Sequence, residues 1–381
     1  MRHDLATFLV IPKGPAAFRR LDNKLSASSI DSVPLLSSPT HQKRGRNVSL
    51  YDRRSEVRAL LVCLGYDHKG NYKRLFDVFD RLQRNDTSVY HEFTLRKRNG
   101  KLRTVHAPDE PLKSIQRRIH LRMLRKERVH RCSAAYIRKY GPVDAARKLC
   151  GDLAVLRLDI QDFFPSITED RVAGLFRDLG IDTHWHGEKS VFMLAKLCCH
   201  NGCIVQGAPS SPAISNLICR KLDAQLERLA ASWGLRYLRY SDDMFFYSSS
   251  EFNGRKLTET AQRIITQHGF ELNTQKTRYF APGAPRRLLG LNTMGETPRI
   301  PRTKLRTMRA AFNKAARDPL ANREALPRLQ GLAGWYKQVH GLDERCREYL
   351  QVIRELRRPI ALVKIREWLR SHGLLSRLQT R

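Results

Sequence analysis

The sequence predicts a mixed α/β (α+β) fold, and three patterns predict it. Apolar residues recur at helical spacing in Val57, Leu60, Leu61 and Leu64, and again in Leu112, Ile115, Ile119 and Met123. β-prone runs flank short turns twice, from Glu92 to Val105 around Asn99-Gly100 and from Tyr237 to Tyr247 around Ser241-Asp242-Asp243, which reads as two antiparallel hairpins. Residues 301–381 return to helical spacing in Leu326, Leu329, Leu332 and Trp335, with 19 Lys/Arg against 7 Asp/Glu. The chain has 381 residues, 41% of them hydrophobic, which suffices for a real core in one large domain or two to three subdomains.

Charge narrows the function. Seventy Lys/Arg against 37 Asp/Glu leave a net +33, a field that calls for a polyanionic partner, nucleic acid first. A lipid surface is the other polyanion, but no stretch approaches the roughly 20 apolar residues of a membrane helix, so no membrane association is expected. Eight cysteines at irregular spacing do not make a disulfide scaffold. The tightest group, Cys198, Cys199 and Cys203 around His200, lacks a second ligand pair at zinc-site spacing and reads as buried, reduced thiols. Phe8-Leu9-Val10-Ile11 is too short for a signal-peptide core, so a cytoplasmic setting is expected.

Taken in order, residues 1–48 alternate serines with Pro34 and Pro39 and end in Lys43-Arg44-Gly45-Arg46, the composition of a basic tail rather than a core. Helices follow from about Leu50. The first hairpin carries Arg96, Lys97, Arg98, Lys101 and Arg103, cations that repel one another unless an anion lies between them. A helix from about Pro111 to Arg128 follows, and residues 96–148 hold 17 Lys/Arg against 4 Asp/Glu. A single sign on one face suggests phosphate contact.

Val155-Leu156-Arg157-Leu158-Asp159-Ile160 reads as a buried strand ending in an acid, and the second hairpin presents Asp242 and Asp243 at its tip. Adjacent carboxylates within an aromatic β pattern repel one another and need a counter-charge. Hard oxygen donors suit Mg²⁺, and two such ions clamp the attacking and leaving oxygens of a phosphoryl displacement. The expected metal set is Asp159, Ile160, Asp242 and Asp243, with Asp159 and Asp242 bridging both ions and Asp243 completing or tuning the set.

These segments resemble the reverse transcriptase family. Leu156 to Ile160 with Phe163-Phe164-Pro165-Ser166-Ile167 is similar to its first catalytic motif, Val205-Gln206-Gly207-Ala208-Pro209-Ser210-Ser211-Pro212 to its Gln-Gly-x-Pro-x-Ser-Pro loop and helix, and Tyr240-Ser241-Asp242-Asp243 to its Tyr-x-Asp-Asp box. Gly269-Phe270-Glu271-Leu272-Asn273 with Lys276-Thr277 matches the next block, and Leu288-Leu289-Gly290-Leu291 resembles the primer grip. The order and spacing agree over roughly residues 90–295. Within the family the bacterial retron class is most similar. Asp144-Ala145-Ala146-Arg147-Lys148 departs from that class's Asn-Ala-x-x-His, Leu288-Leu289-Gly290 from its Val-Thr-Gly, Ser241 from the commoner alanine and Ser210 from threonine.

The resemblance implies a right-hand polymerase, with fingers and palm over 49–300 around an antiparallel catalytic sheet and an α-helical thumb over 301–381. It implies an RNA-directed DNA polymerase using dNTPs and two Mg²⁺ ions. Asp159, Asp242 and Asp243 would be catalytic, with Lys276 protonating the leaving group. Lys97 and Arg103 would grip the triphosphate, Phe164 would lie under the sugar and select dNTPs, and Gln206 and Gly207 would contact the nucleotide. In the retron class the template-primer is a structured non-coding RNA, the product is RNA-linked single-stranded DNA, and the effector in anti-phage defence is a separate protein. A stand-alone defence-type or intron-related enzyme is the near alternative, and a non-catalytic nucleic-acid-binding scaffold the distant one.

Overall fold

The structure, a computed structural model, describes residues 64–65, 72–84, 86–96, 100, 102–181 and 188–358. The expected basic tail (1–48), the helical positions Val57, Leu60 and Leu61, and Lys97, Arg98 and Lys101 lie outside the described residues. Packing divides the chain into two units, the first from residues up to Leu124 with Thr168–Ser210, the second from Arg125–Ile167 with Ser211 onward.

In the first unit, helix α1 (Tyr72–Gln83) precedes a hairpin of β1 (Tyr90–Arg96) and β2 (Leu102–Pro108), with Phe93 opposite Val105 and Leu95 opposite Arg103. Gly100 at the tip takes φ +81°, a conformation that glycine adopts without a Cβ clash. Helix α2 (Glu110–Arg122) starts where Asp109 accepts the Leu112 N–H at 2.9 Å and buries Leu112, Ile115 and Ile119. It ends six residues before the expected Arg128, in a 3₁₀ turn over Leu124–Lys126. Helices α4 (Glu169–Asp178) and α5 (Glu188–Cys198) pack on each other, and α5 also meets α1 and α2. The cations of α2 are largely engaged within the protein: Lys113 and Arg117 reach Glu110 at 2.6 and 3.7 Å, and Arg118 donates to the carbonyls of Leu64 and Gly65.

The second unit holds the four-stranded sheet. Strands β3 (Ala154–Asp159), β4 (Arg236–Tyr240), β5 (Asp243–Ser248) and β6 (Arg278–Phe280) lie in the order β4-β5-β3-β6, every pair antiparallel. Strand β3 reads Ala-Val-Leu-Arg-Leu-Asp and is buried almost throughout, as a central strand covered on both faces must be. Val155, Leu238, Phe245 and Tyr247 form a core with Ala145 and Leu149 of the short helix α3 (Pro142–Arg147) and the turn after it. Helix α6 (Ser211–Ile218) leads into α7 (Arg220–Ser232), which packs on β4 and on α8 (Gly254–Gln267). A two-stranded hairpin, β7 (Arg287–Leu288) and β8 (Leu291–Asn292), precedes three helices, α9 (Arg302–Arg317), α10 (Leu326–His340) and α11 (Glu344–Arg357). These helices share one core with Val143, Ala146, Leu291 and Ile300, so by packing they continue the unit that carries the sheet. Phe312 stacks on Tyr349 at 3.9 Å within that core.

Asp144 and Lys148, the departures on α3, are used locally. Asp144 accepts the Gly141 N–H at 2.8 Å and pairs with Arg147 at 2.7 Å, and the Lys148 ammonium lies 5.7 Å from the centre of the Tyr140 ring. The cysteines of the Cys198 group are free thiols, with Cys198 and Cys199 buried and Cys203 half-buried. No helix among the described residues is long and apolar enough to cross a membrane.

Candidate active site

Strand register brings the acids together. Asp159, the last residue of β3, stands opposite Asp243, the first of β5. Asp242 occupies the two-residue turn between β4 and β5, whose ends Tyr240 and Asp243 face each other. The turn is tied to the neighbouring strand end, because the Ile160 N–H donates to the Asp242 carbonyl at 3.0 Å. Behind β3, the Asn273 N–H donates to the Asp159 carbonyl at 2.8 Å, which fixes the 3₁₀ turn Thr274–Lys276 beside it.

Asp159 is 1% exposed. Its carboxylate receives the Lys276 ammonium on both oxygens, at 2.7 and 3.0 Å. Burial pushes the Asp159 carboxyl up, Lys276 opposes that, and the nearby Asp242 adds to it. Asp243 is held by the Arg157 guanidinium, with Nε at 2.8 Å and Nη2 at 2.7 Å. Burial nonetheless pushes the Asp243 carboxyl up to about 6, with Arg157 lowering it and Asp242 and Asp159 raising it. The carboxylate of Asp242 has no hydrogen-bond partner among the described residues. Asp242 thus sits close enough to raise both Asp159 and Asp243, with one ammonium already lodged on Asp159, the most buried of the three. Crowded, desolvated hard oxygens are what a divalent cation neutralises, so the chemistry of these residues fits Mg²⁺, while Arg157 engages Asp243 from within the sheet.

Phe164 is buried in the tight turn after β3. Its ring meets Phe163 edge-on at 5.5 Å, and Phe163 lies 5.9 Å from Phe270. The turn is closed by Ser166 N–H to the Asp162 carbonyl at 2.8 Å and Ile167 N–H to the Phe164 carbonyl at 3.1 Å, with Asp162 at φ +43°.

Arg103, Gln206 and Gly207 belong to the first unit. Arg103 is exposed on β2. The Gln206 carbonyl accepts the His106 N–H at 3.2 Å, so this loop is fastened to the hairpin. Gly207 takes φ +112°, and a Cβ there would stand 2.6 Å from the His106 carbonyl oxygen. Glycine is therefore a requirement of the close approach between loop and strand.

The structure therefore gathers Asp159, Ile160, Asp242, Asp243 and Lys276 at one end of the sheet and places Gln206 and Gly207 against the basic hairpin that bears Arg103. Two groups escape sequence reasoning. One is Arg157 as the partner of Asp243. The other is Arg239, fully buried beneath the turn. Both are cations inside apolar β patterns, and a charge at such a position signals a buried acid nearby.

A family model described as "Reverse transcriptase (RNA-dependent DNA polymerase)" matches residues 95–293. The Retron Ec86 reverse transcriptase of Escherichia coli is 32% identical over 226 residues, covering 59% of this chain and 69% of that protein. The Retron Mx65 reverse transcriptase of Myxococcus xanthus is 32% identical over 266 residues, covering 66% of this chain and 61% of that protein. Among solved structures, the telomerase of Candida tropicalis in complex with a fragment of telomeric RNA aligns at 13% identity and a TM-score of 0.42, covering 70% of this chain and 52% of that chain.

Proposed function

Because the chain belongs to the reverse transcriptase family, a right-hand polymerase fold, we propose that it is an RNA-directed DNA polymerase that copies a structured non-coding RNA into RNA-linked single-stranded DNA. The observation that carries the reading is the convergence of Asp159, Asp242 and Asp243 at the β3–β5 end, with Lys276 seated on Asp159. Bound Mg²⁺ would supply charge stabilisation at the phosphates of the incoming dNTP. Asp159 and Asp242 would hold it, and Asp243, kept in place by Arg157, would tune the negative charge beside them. Lys276 has the chemistry to give a proton to the leaving pyrophosphate. The buried ring of Phe164 would exclude a 2′-hydroxyl, and the loop of Gln206 and Gly207 would meet the nucleotide. The exposed Arg103, with Lys97, would receive its triphosphate.

The retron assignment rests on the two relatives named above and on motifs of that class. In this reading the priming group is a 2′-hydroxyl of the RNA, and the thumb with its basic helices clamps the stem. The chain works in the bacterial cytoplasm and serves anti-phage defence with a separate effector protein. The test is extension by the purified full chain on an annealed RNA template and DNA primer with Mg²⁺, in parallel with expression beside its flanking non-coding region. Template-dependent DNA from the wild type, loss of it in Asp242→Asn with RNA binding retained, and a junction sensitive to debranching enzyme are expected. Activity within about tenfold of wild type in Asp242→Asn overturns the metal-site reading. Linear DNA never attached to RNA overturns the retron reading and leaves the polymerase.

A further inference from the structure

The turn that presents Asp242 sits on a buried polar network. Arg239 of β4 and Asp223 of α7 have side chains that are 0% exposed, and they form a two-pronged ion pair with Nε to Oδ1 and Nη2 to Oδ2 both at 2.7 Å. The remaining guanidinium hydrogens go to Asn216 Oδ1 at 3.2 Å, Ser133 Oγ at 3.3 Å and the main-chain carbonyl of Ser241 at 3.1 Å. All five donors of the side chain are therefore used. Asn216 of α6 also donates to the Ala135 carbonyl at 2.8 Å, and Ser133 donates to Asn216 at 2.9 Å. Tyr237 adds a hydroxyl to Asp223 at 3.1 Å.

Ser241 is what this network holds. It takes φ +60°, the left-handed region that a non-glycine residue adopts only when its surroundings impose it. Its carbonyl is fixed by Arg239, and its hydroxyl lies 2.8 Å from the hydroxyl of Tyr136, itself at φ +63°. The family's commoner alanine at this position could not make that second bond. Relaxation of Ser241 to negative φ would swing the next residue, Asp242, away from Asp159.

We propose that the buried Arg239–Asp223 pair, with Tyr136, is a positioning device that clamps Ser241 in its left-handed conformation and so sets Asp242 against Asp159. The inference rests on the polymerase reading of that site. Replacing a buried ion pair by apolar side chains of similar volume is often neutral or stabilising, so stability alone does not account for a fully buried pair directly behind the turn. The pair's specific contribution is the contact with the Ser241 carbonyl, which an apolar replacement lacks.

The experiment compares wild type with the full-length Arg239→Met/Asp223→Leu double variant. Circular dichroism and thermal melting report folding, primer extension gives kcat and KM for dNTP, and electron paramagnetic resonance of Mn²⁺ without nucleotide gives cation affinity. Expected are a folded variant, a kcat at least about tenfold lower with KM for dNTP nearly unchanged, and weaker Mn²⁺ binding. A folded variant with wild-type kcat and Mn²⁺ affinity overturns the proposal. If the double variant does not fold, Arg239→Lys is compared with Arg239→Lys/Ser241→Gly. Glycine takes positive φ without strain, so partial recovery of kcat and Mn²⁺ binding is expected, and no recovery overturns the proposal. A wild type that binds Mn²⁺ but extends nothing refutes the polymerase reading instead, and weaker Mn²⁺ binding in the variant then still supports the clamp.

Discussion

Asp243→Asn is expected to stabilise the cation-free protein at neutral pH while it impairs extension. The Asp243 side chain is 18% exposed, and burial beside Asp242 and Asp159 pushes its carboxyl up to about 6 from the ordinary 3.8 despite Arg157. The folded value is the higher one, so this acid favours folding only while protonated. Its contribution is complete below about pH 3.8 and is lost as the pH rises through about 6. A carboxyl with that difference carries at most about 3 kcal/mol of penalty once fully ionised. The amide oxygen of Asn still accepts from Arg157, and because the value of about 6 already includes the attraction of Arg157, the neutral amide is expected to gain up to about 3 kcal/mol at pH 8. The assay is urea unfolding of wild type and variant in EDTA from pH 4 to 8, read as the difference between the two chains. That difference removes the self-repulsion of the +33 chain, which both share. It should be near zero or slightly negative at pH 4 and grow through pH 6. Added Mg²⁺ should narrow it by binding the wild type more tightly. A variant less stable than wild type at pH 8 in EDTA, or a difference independent of pH, refutes the reasoning.

Two further outcomes follow from the geometry. Phe164→Val should raise ribonucleotide incorporation relative to dNTP by about tenfold or more while the chain stays folded, if the ring has the sugar-selecting place proposed for it; an unchanged ratio removes Phe164 from sugar selection. Gly207→Ala should destabilise the first unit by about 2–4 kcal/mol and raise KM for dNTP, since the new Cβ meets the His106 carbonyl oxygen at 2.6 Å with φ at +112°; a variant with wild-type unfolding midpoint and KM shows that loop and hairpin part without consequence.

The sequence by itself determined most of the local elements and singled out the acids that are the candidates for the site. Asn99-Gly100 between β-prone runs is a hairpin signal because few residues other than glycine turn there, and the hairpin is found at Tyr90–Pro108. The acid at the end of an apolar strand and the acid pair in an aromatic hairpin stood out because carboxylates in such surroundings need a counter-charge. The strand ending in Asp159 and the hairpin from Arg236 to Ser248 both form as expected. What tertiary structure alone decided is which partner each charge takes. Register set Asp159 opposite Asp243, Lys276 reached Asp159 from 117 positions away, and Arg157 and Arg239 turned inward to different acids. Residues 302–357 look like a separate basic helical segment in the sequence, yet their apolar stripes share a core with α3 and β8. Periodicity is written in neighbouring residues because it follows from backbone geometry. The pairing of buried charges depends on distances between segments far apart in the chain, and those distances exist only once the sheet has closed its register.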